Sequence, residues 1–151
     1  MSETDSSSLP IDMARSRFSE GFSCSQSVLA EFAPELGLDA DAALRVSAAF
    51  GGGMGRTGGT CGAVTGALMA LGLKYGATVA DPVAKERTYA LTREFIARFE
   101  ARHGATACAD LLGVNIGTPE GQAAAREANL FKTTCPGLVA SAAAILKEME
   151  V

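Results

Sequence analysis

Tryptophan is absent from the chain, and aromatic residues make up only 6% of it. A core of stacked rings is thereby excluded, and abundant alanine favours closely packed helices. Long apolar runs are missing too: the longest, Ala67 to Leu73, is too short to span a bilayer. The first residues, Met-Ser-Glu-Thr-Asp-Ser-Ser-Ser, contain neither a basic n-region nor an apolar h-region, so no signal peptide is read there. Basic residues are outnumbered, giving a net charge of -4 and no general attraction to nucleic acid or anionic lipid. Cys-x-x-Cys does not occur, which argues against a thioredoxin-like mechanism with both sulfurs on one turn. Without Cys-x-x-Cys-His, haem attachment is unsupported as well. The expected setting is the cytoplasm, where cysteines are more often reduced, catalytic or metal-bound than bridged.

The 151 residues suit one domain with a hydrophobic core, and 48% apolar with 20% charged residues is ordinary globular usage. Residues 1–9 read as a disordered leader and 10–151 as an all-α domain, a bundle of about six or seven helices. The first helix spans about Pro10 to Glu20, with Met13, Ala14 and Phe18 on one side. Ser23 and Gln26 form a capping box for a helix from Cys24 toward Leu36, which Pro34 kinks or ends early. Asp39 or Asp41 caps a third helix, whose Leu44, Val46, Ala48 and Phe50 lead to a glycine-dense loop. A fourth opens at Thr60-Cys61 and runs to Tyr75, apolar nearly all round, as in the centre of a bundle. Its Gly62, Gly66 and Ala70 admit a close neighbour, within the chain or across a homodimer. Asp81-Pro82 starts a helix to His103 with Leu91, Phe95, Ile96 and Phe99 inward. A short helix over 107–112, one over 120–130 and one after Pro136 complete the chain. No segment alternates as a strand would.

Chemistry concentrates in the glycine loop and the cysteines. Gly53-x-Gly55-x-x-Gly58 has the letters of a dinucleotide fingerprint, but it follows a helix and no βαβ unit surrounds it. A looser anion site in the loop amides stays open. His103, the single histidine, precedes Gly104 at a helix C-terminus, where capping is favoured over catalysis. Glu86, Glu94 and Glu127 read as solvated charges. All four cysteines, Cys24, Cys61, Cys108 and Cys135, fall at helix starts, where free N–H groups and the helix dipole stabilise thiolate. Arg56 and Lys132 would add positive charge near Cys61 and Cys135. Each cysteine on its own is as readily a small buried hydrophobe.

The run Cys61-Gly62-Ala63-Val64-Thr65-Gly66, with Gly-Gly-Gly-Met-Gly-Arg at 51–56 before it and Cys24, Cys108 and Cys135 in order around it, resembles the C_GCAxxG_C_C family of redox-active proteins. The resemblance covers about residues 12–148. It implies a helical fold and a thiol-redox or metal role, in proteins often encoded beside transporters. Thiol–disulfide exchange is the leading reading, with Cys61 as attacking thiol and its partner among the other three left open. Whether that makes the chain an enzyme, a thiol oxidoreductase, is undecided. The alternatives are a zinc or iron–sulfur site on the four cysteines, against which their wide scatter speaks, and an accessory protein of a transporter.

Overall fold

The computed structural model describes residues 9–151. The leader expected over 1–9 lies outside the described residues except for Leu9, which already opens the first helix beside Pro10, a residue whose fixed φ suits a first turn. The chain forms α1 (Leu9–Ser19), α2 (Cys24–Phe32), α3 (Ala40–Ser47), the single turn α4 (Gly51–Met54), α5 (Gly62–Tyr75), α6 (Pro82–His103), α7 (Cys108–Leu112), α8 (Pro119–Glu127), the turn α9 (Leu130–Thr133) and α10 (Cys135–Glu148). Short 3-10 turns at Pro34–Leu36 and Ala48–Phe50 follow α2 and α3. Among the described residues the only extended pairing is one antiparallel bridge between Thr60 and Ala107. The fold is all-α.

Local chemistry explains the boundaries. The Ser23 hydroxyl accepts from the Gln26 N–H at 3.4 Å while the Gln26 side chain accepts from the Ser23 N–H at 3.0 Å, closing the capping box. Pro34 brings no N–H to an α-helical ladder, so α2 stops at Phe32 and a 3-10 turn ends in Gly37 at φ 95°. Asp39, not Asp41, caps α3 by accepting from the Ala42 N–H at 2.8 Å. Asp81 accepts from Val83 and Ala84 to start α6. The helix expected over 120–130 ends at Glu127, because Asn129 takes φ 60° and breaks it from α9.

Helix α5 lies at the centre, against α2, α6 and α10. Ala63, Val64, Ala67, Ala70 and Leu71 are buried on it, facing Val28 and Leu29 of α2, Phe95 and Phe99 of α6, and Val139, Ile145 and Leu146 of α10 in one core. The close approach prepared by the small residues is made within the chain. A Cβ on Gly66 would stand 2.6 Å from the Ser25 carbonyl oxygen, and one on Gly62 would stand 2.9 Å from the Ser25 nitrogen. Val46 is 56% exposed and Met13 42%, because the face of α3 that meets α2 carries Ala43 and Ser47, and α1 turns Ala14 to the core. Small residues set these contacts, so the large apolar ones fall outside.

His103 ends α6, but its role differs from a charged cap. Its Nε2 pairs with the Ser141 hydroxyl of α10 at 2.8 Å and its ring packs against Phe99 at a tilt of 47°, while Gly104 at φ 82° closes the helix. Burial, and then Arg102, lower its pKa, so the neutral ring that joins two helices is favoured.

Two glycines of α5 separate packing from propensity. Gly66→Ala drives a methyl into backbone and is expected to destabilise by about 1–3 kcal/mol. Gly72→Ala, with open space at the new Cβ, is expected to stabilise by about 0.5–1 kcal/mol. Urea unfolding of the two variants checks both signs.

Candidate functional site

The glycine loop is a left-handed turn. Gly52, Gly53, Met54, Gly55 and Arg56 all have φ between 62° and 69°. Within it the Gly55 N–H reaches the Gly51 carbonyl, Gly58 bonds to Gly52 at 3.3 Å, and Gly59 bonds to Gly53 at 2.9 Å. These bonds engage the Gly55, Gly58 and Gly59 amides inside the turn, so those three are not available to an anion. Gly53 is also a contact point: a Cβ there would lie 2.6 Å from the Gly59 backbone and 2.8 Å from the Cys108 Cβ.

The turn hands the chain to a short pairing with the segment before α7. The Cys108 N–H donates to the Gly59 carbonyl at 2.7 Å, the Cys61 N–H to the Thr106 carbonyl at 2.7 Å, and the Ala109 N–H to Gly58 at 3.2 Å. Cys61 and Cys108 are therefore fixed across one bridge. Helix α2 brings Cys24 alongside, its Cβ 3.2 Å from where a Gly62 Cβ would be. Cys135 opens α10, with Pro136 behind it. Cys24, Cys108 and Cys135 are first helical residues and Cys61 is the N-cap of α5.

All four cysteines line one cleft of about 850 Å³. Cys61 is 3% exposed, Cys135 6% and Cys108 8%, whereas Cys24 is half-buried. All four thiols are free. Hydrogen bonding with Cys135 and then with Cys61, followed by burial, holds the Cys24 pKa well above the ordinary 9.0. The same contact lowers Cys61, which also has the N–H groups of Ala63 and Val64 at the start of α5 to stabilise its anion. Cys135 is lowered by Cys24 but opposed by burial and by the charge of Cys61. Burial first, then the charges of Cys61 and Cys135, push Cys108 up to about 12. The four helix starts are thus chemically unequal: Cys24 and Cys108 have raised pKa values, and Cys61 and Cys135 lowered ones. Among the described residues no three Cys, His, Asp or Glu side chains are gathered so as to hold a metal ion.

Arg56 and Lys132 both line the cleft, as does Phe18 of the first helix. Phe22, Ile116 and Phe131 line it too; the sequence reading gave them no site role, since they lie far apart in the chain and carry no spacing signal.

A helical protein with four cysteines on one cleft, three of them buried, is thereby defined. The chain belongs to the C_GCAxxG_C_C family, described as "Putative redox-active protein (C_GCAxxG_C_C)", whose model matches residues 22–149. The label writes its central triplet Gly-Cys-Ala, whereas this chain has Cys61-Gly62-Ala63, an order that puts the glycine against Ser25. No curated protein and no solved structure matches the chain. No helix among the described residues is long and apolar enough to cross a membrane.

The lowered pKa of Cys61 fixes a sign. Thiolate forms as pH rises through a value below 9.0, so its alkylation rate should reach half-maximum below that pH. Cys108, held near 12, should stay unlabelled across the same range. Peptide-resolved iodoacetamide labelling from pH 6 to 10 (about the range over which thiols titrate) measures both.

Proposed function

We propose that the cleft performs thiol–disulfide exchange, with Cys61 as attacking thiolate and Cys24 as resolving thiol. The observation that carries this is the placement of Cys24 and Cys61 on one cleft wall, with the Cys24 Cβ 3.2 Å from the Cβ position that Gly62, the residue after Cys61, leaves empty. In the first step the Cys61 thiolate attacks a disulfide R–S–S–R. A Cys61–S–R bond forms, the S–S bond breaks, and the departing RS⁻ takes the Cys24 proton. Cys61 now bears no charge and accepts no hydrogen bond, so two of the influences that raised the Cys24 pKa are gone. The Cys24 thiolate attacks the Cys61 sulfur, releasing a second RS⁻ that takes a proton from water. Two thiols of the chain are oxidised and one disulfide is reduced to two thiols.

Cys135 fits a different part: as a second acceptor of the Cys24 proton it stabilises the reduced centre. A closed zinc or iron–sulfur site needs the four sulfurs to converge on one point. Among the described residues no three such side chains form a group that could hold a metal ion, which supports exchange as the preferred reading.

Reduced protein treated with a small disulfide should lose two hydrogens and yield a Cys24–Cys61 cross-linked peptide by mass spectrometry. Cys24→Ser should instead accumulate the mixed disulfide on Cys61. Cys61→Ser should slow the first step by on the order of tenfold or more. A native Cys61 that reacts no faster than a free thiol would overturn the proposal. So would metal in the purified protein with all four thiols protected from labelling.

A further inference from the structure

The cleft that contains Cys61 carries a charge bias opposite to that of the whole chain. The protein has a net charge of -4, yet the cleft wall includes Arg56 and Lys132 and, among the described residues, no Asp or Glu. Neither cation makes a salt bridge among the described residues: Arg17, Arg98 and Arg102 take the ion pairs found there.

Arg56 is also placed at a cost. It stands at φ 67°, a left-handed conformation that disfavours a side chain by roughly 1–2 kcal/mol relative to glycine. Its Cγ lies 2.8 Å from the Cβ position that Gly52 leaves empty, and its carbonyl oxygen lies 2.7 Å from the Cβ position that Gly117 leaves empty. Two glycines make room for an arginine where a third glycine would be less strained. Such strain at a cleft calls for a function.

The rest of the wall is mainly apolar, and a volume of about 850 Å³ is that of a pocket for a small molecule. Cys61, 3% exposed, can be reached only by something that enters the cleft. We propose that the disulfide exchanged at Cys61 is a low-molecular-weight, carboxylate-bearing one, drawn in and oriented by Arg56 and Lys132. The inference rests on the exchange reading above. The chemistry is the one already balanced there, with R carrying the carboxylate: the carboxylates stay on the two released thiols, and no further reactant enters.

Three symmetrical disulfides separate charge from reactivity: dianionic 3,3′-dithiodipropionate, neutral 2-hydroxyethyl disulfide and dicationic cystamine. Rates of Cys61 modification are measured on the folded full-length protein. Each is divided by the rate of the same probe with a free cysteine peptide, which removes intrinsic differences. At low ionic strength the normalised rate for the dianion is expected to exceed that for the dication by about tenfold or more. The ratio should shrink as salt shortens the reach of the two cations, whose Debye length is about 10 Å at 0.1 M. In Arg56→Gly combined with Lys132→Gln it should fall to about one. The glycine relieves the backbone, so the variant keeps its fold, as circular dichroism should report. Equal normalised rates for the dianion and dication, or a ratio that survives in the double variant, would overturn the charge selection and leave the exchange reading standing. Failure of all three probes to modify Cys61 would overturn both.

Discussion

Five consecutive residues at positive φ, Gly52 to Arg56, are the constraint on which the site depends. A left-handed turn of ordinary residues costs roughly 1–2 kcal/mol at each position, so five would consume much of the roughly 5–15 kcal/mol that stabilises a typical domain. Glycine at three of the five positions leaves only Met54 and Arg56 strained. The turn then presents Gly58 and Gly59 to residues 107–109, and that short pairing fixes the backbones of Cys61 and Cys108. A side chain at 53 would strike both Gly59 and the Cys108 Cβ. The handedness of one turn thus sets the spacing of two sulfurs. Gly62 and Gly66 do the rest by letting α2 carry Cys24 against α5.

Gathering the sulfurs makes them unequal, and the inequality is what permits ordered chemistry. Four identical thiols at helix starts would all be candidates for the same role. Here hydrogen bonding with Cys24 lowers the pKa of both Cys61 and Cys135 and raises that of Cys24 itself. Cys61 gains the N–H groups of α5 in addition, while Cys135 must bear the charge of Cys61. Cys108 lies within the field of both and stays neutral. An identical local motif, a cysteine opening a helix, yields four different acids because the differences come from their neighbours.

Much of this order was legible in the sequence. Hydrophobic period and caps placed the helices, the Ser23–Gln26 box and Asp81-Pro82 marked starts that the structure keeps, and all four cysteines sit at helix starts. The glycine spacing of α5 announced a close neighbour, though not whether it lay in the same chain. The turn at 52–56 was less readable. Glycines declare that positive φ is allowed, but Met54 and Arg56 give no such sign. The position of His103 at its helix end was readable, but its pairing with the Ser141 hydroxyl on α10 was not, because that partner lies on another helix. Cleft walls drawn from Phe18, Ile116 and Phe131 have no sequence signature, since they meet only through tertiary packing.

Burial of Cys61 changes what selectivity can mean for this protein. A surface thiolate is selected by its pKa alone and meets every oxidant in solution. A thiolate in a cleft wall meets only what fits, so shape and charge of the entrance precede reactivity. Burial alone would raise its pKa and blunt the nucleophile. Hydrogen bonding with Cys24, and then the N–H groups of Ala63 and Val64, oppose that loss, and the net effect is a pKa below the ordinary 9.0. Helix start, donor thiol and glycine turn therefore act together on a sulfur whose pKa burial alone would raise.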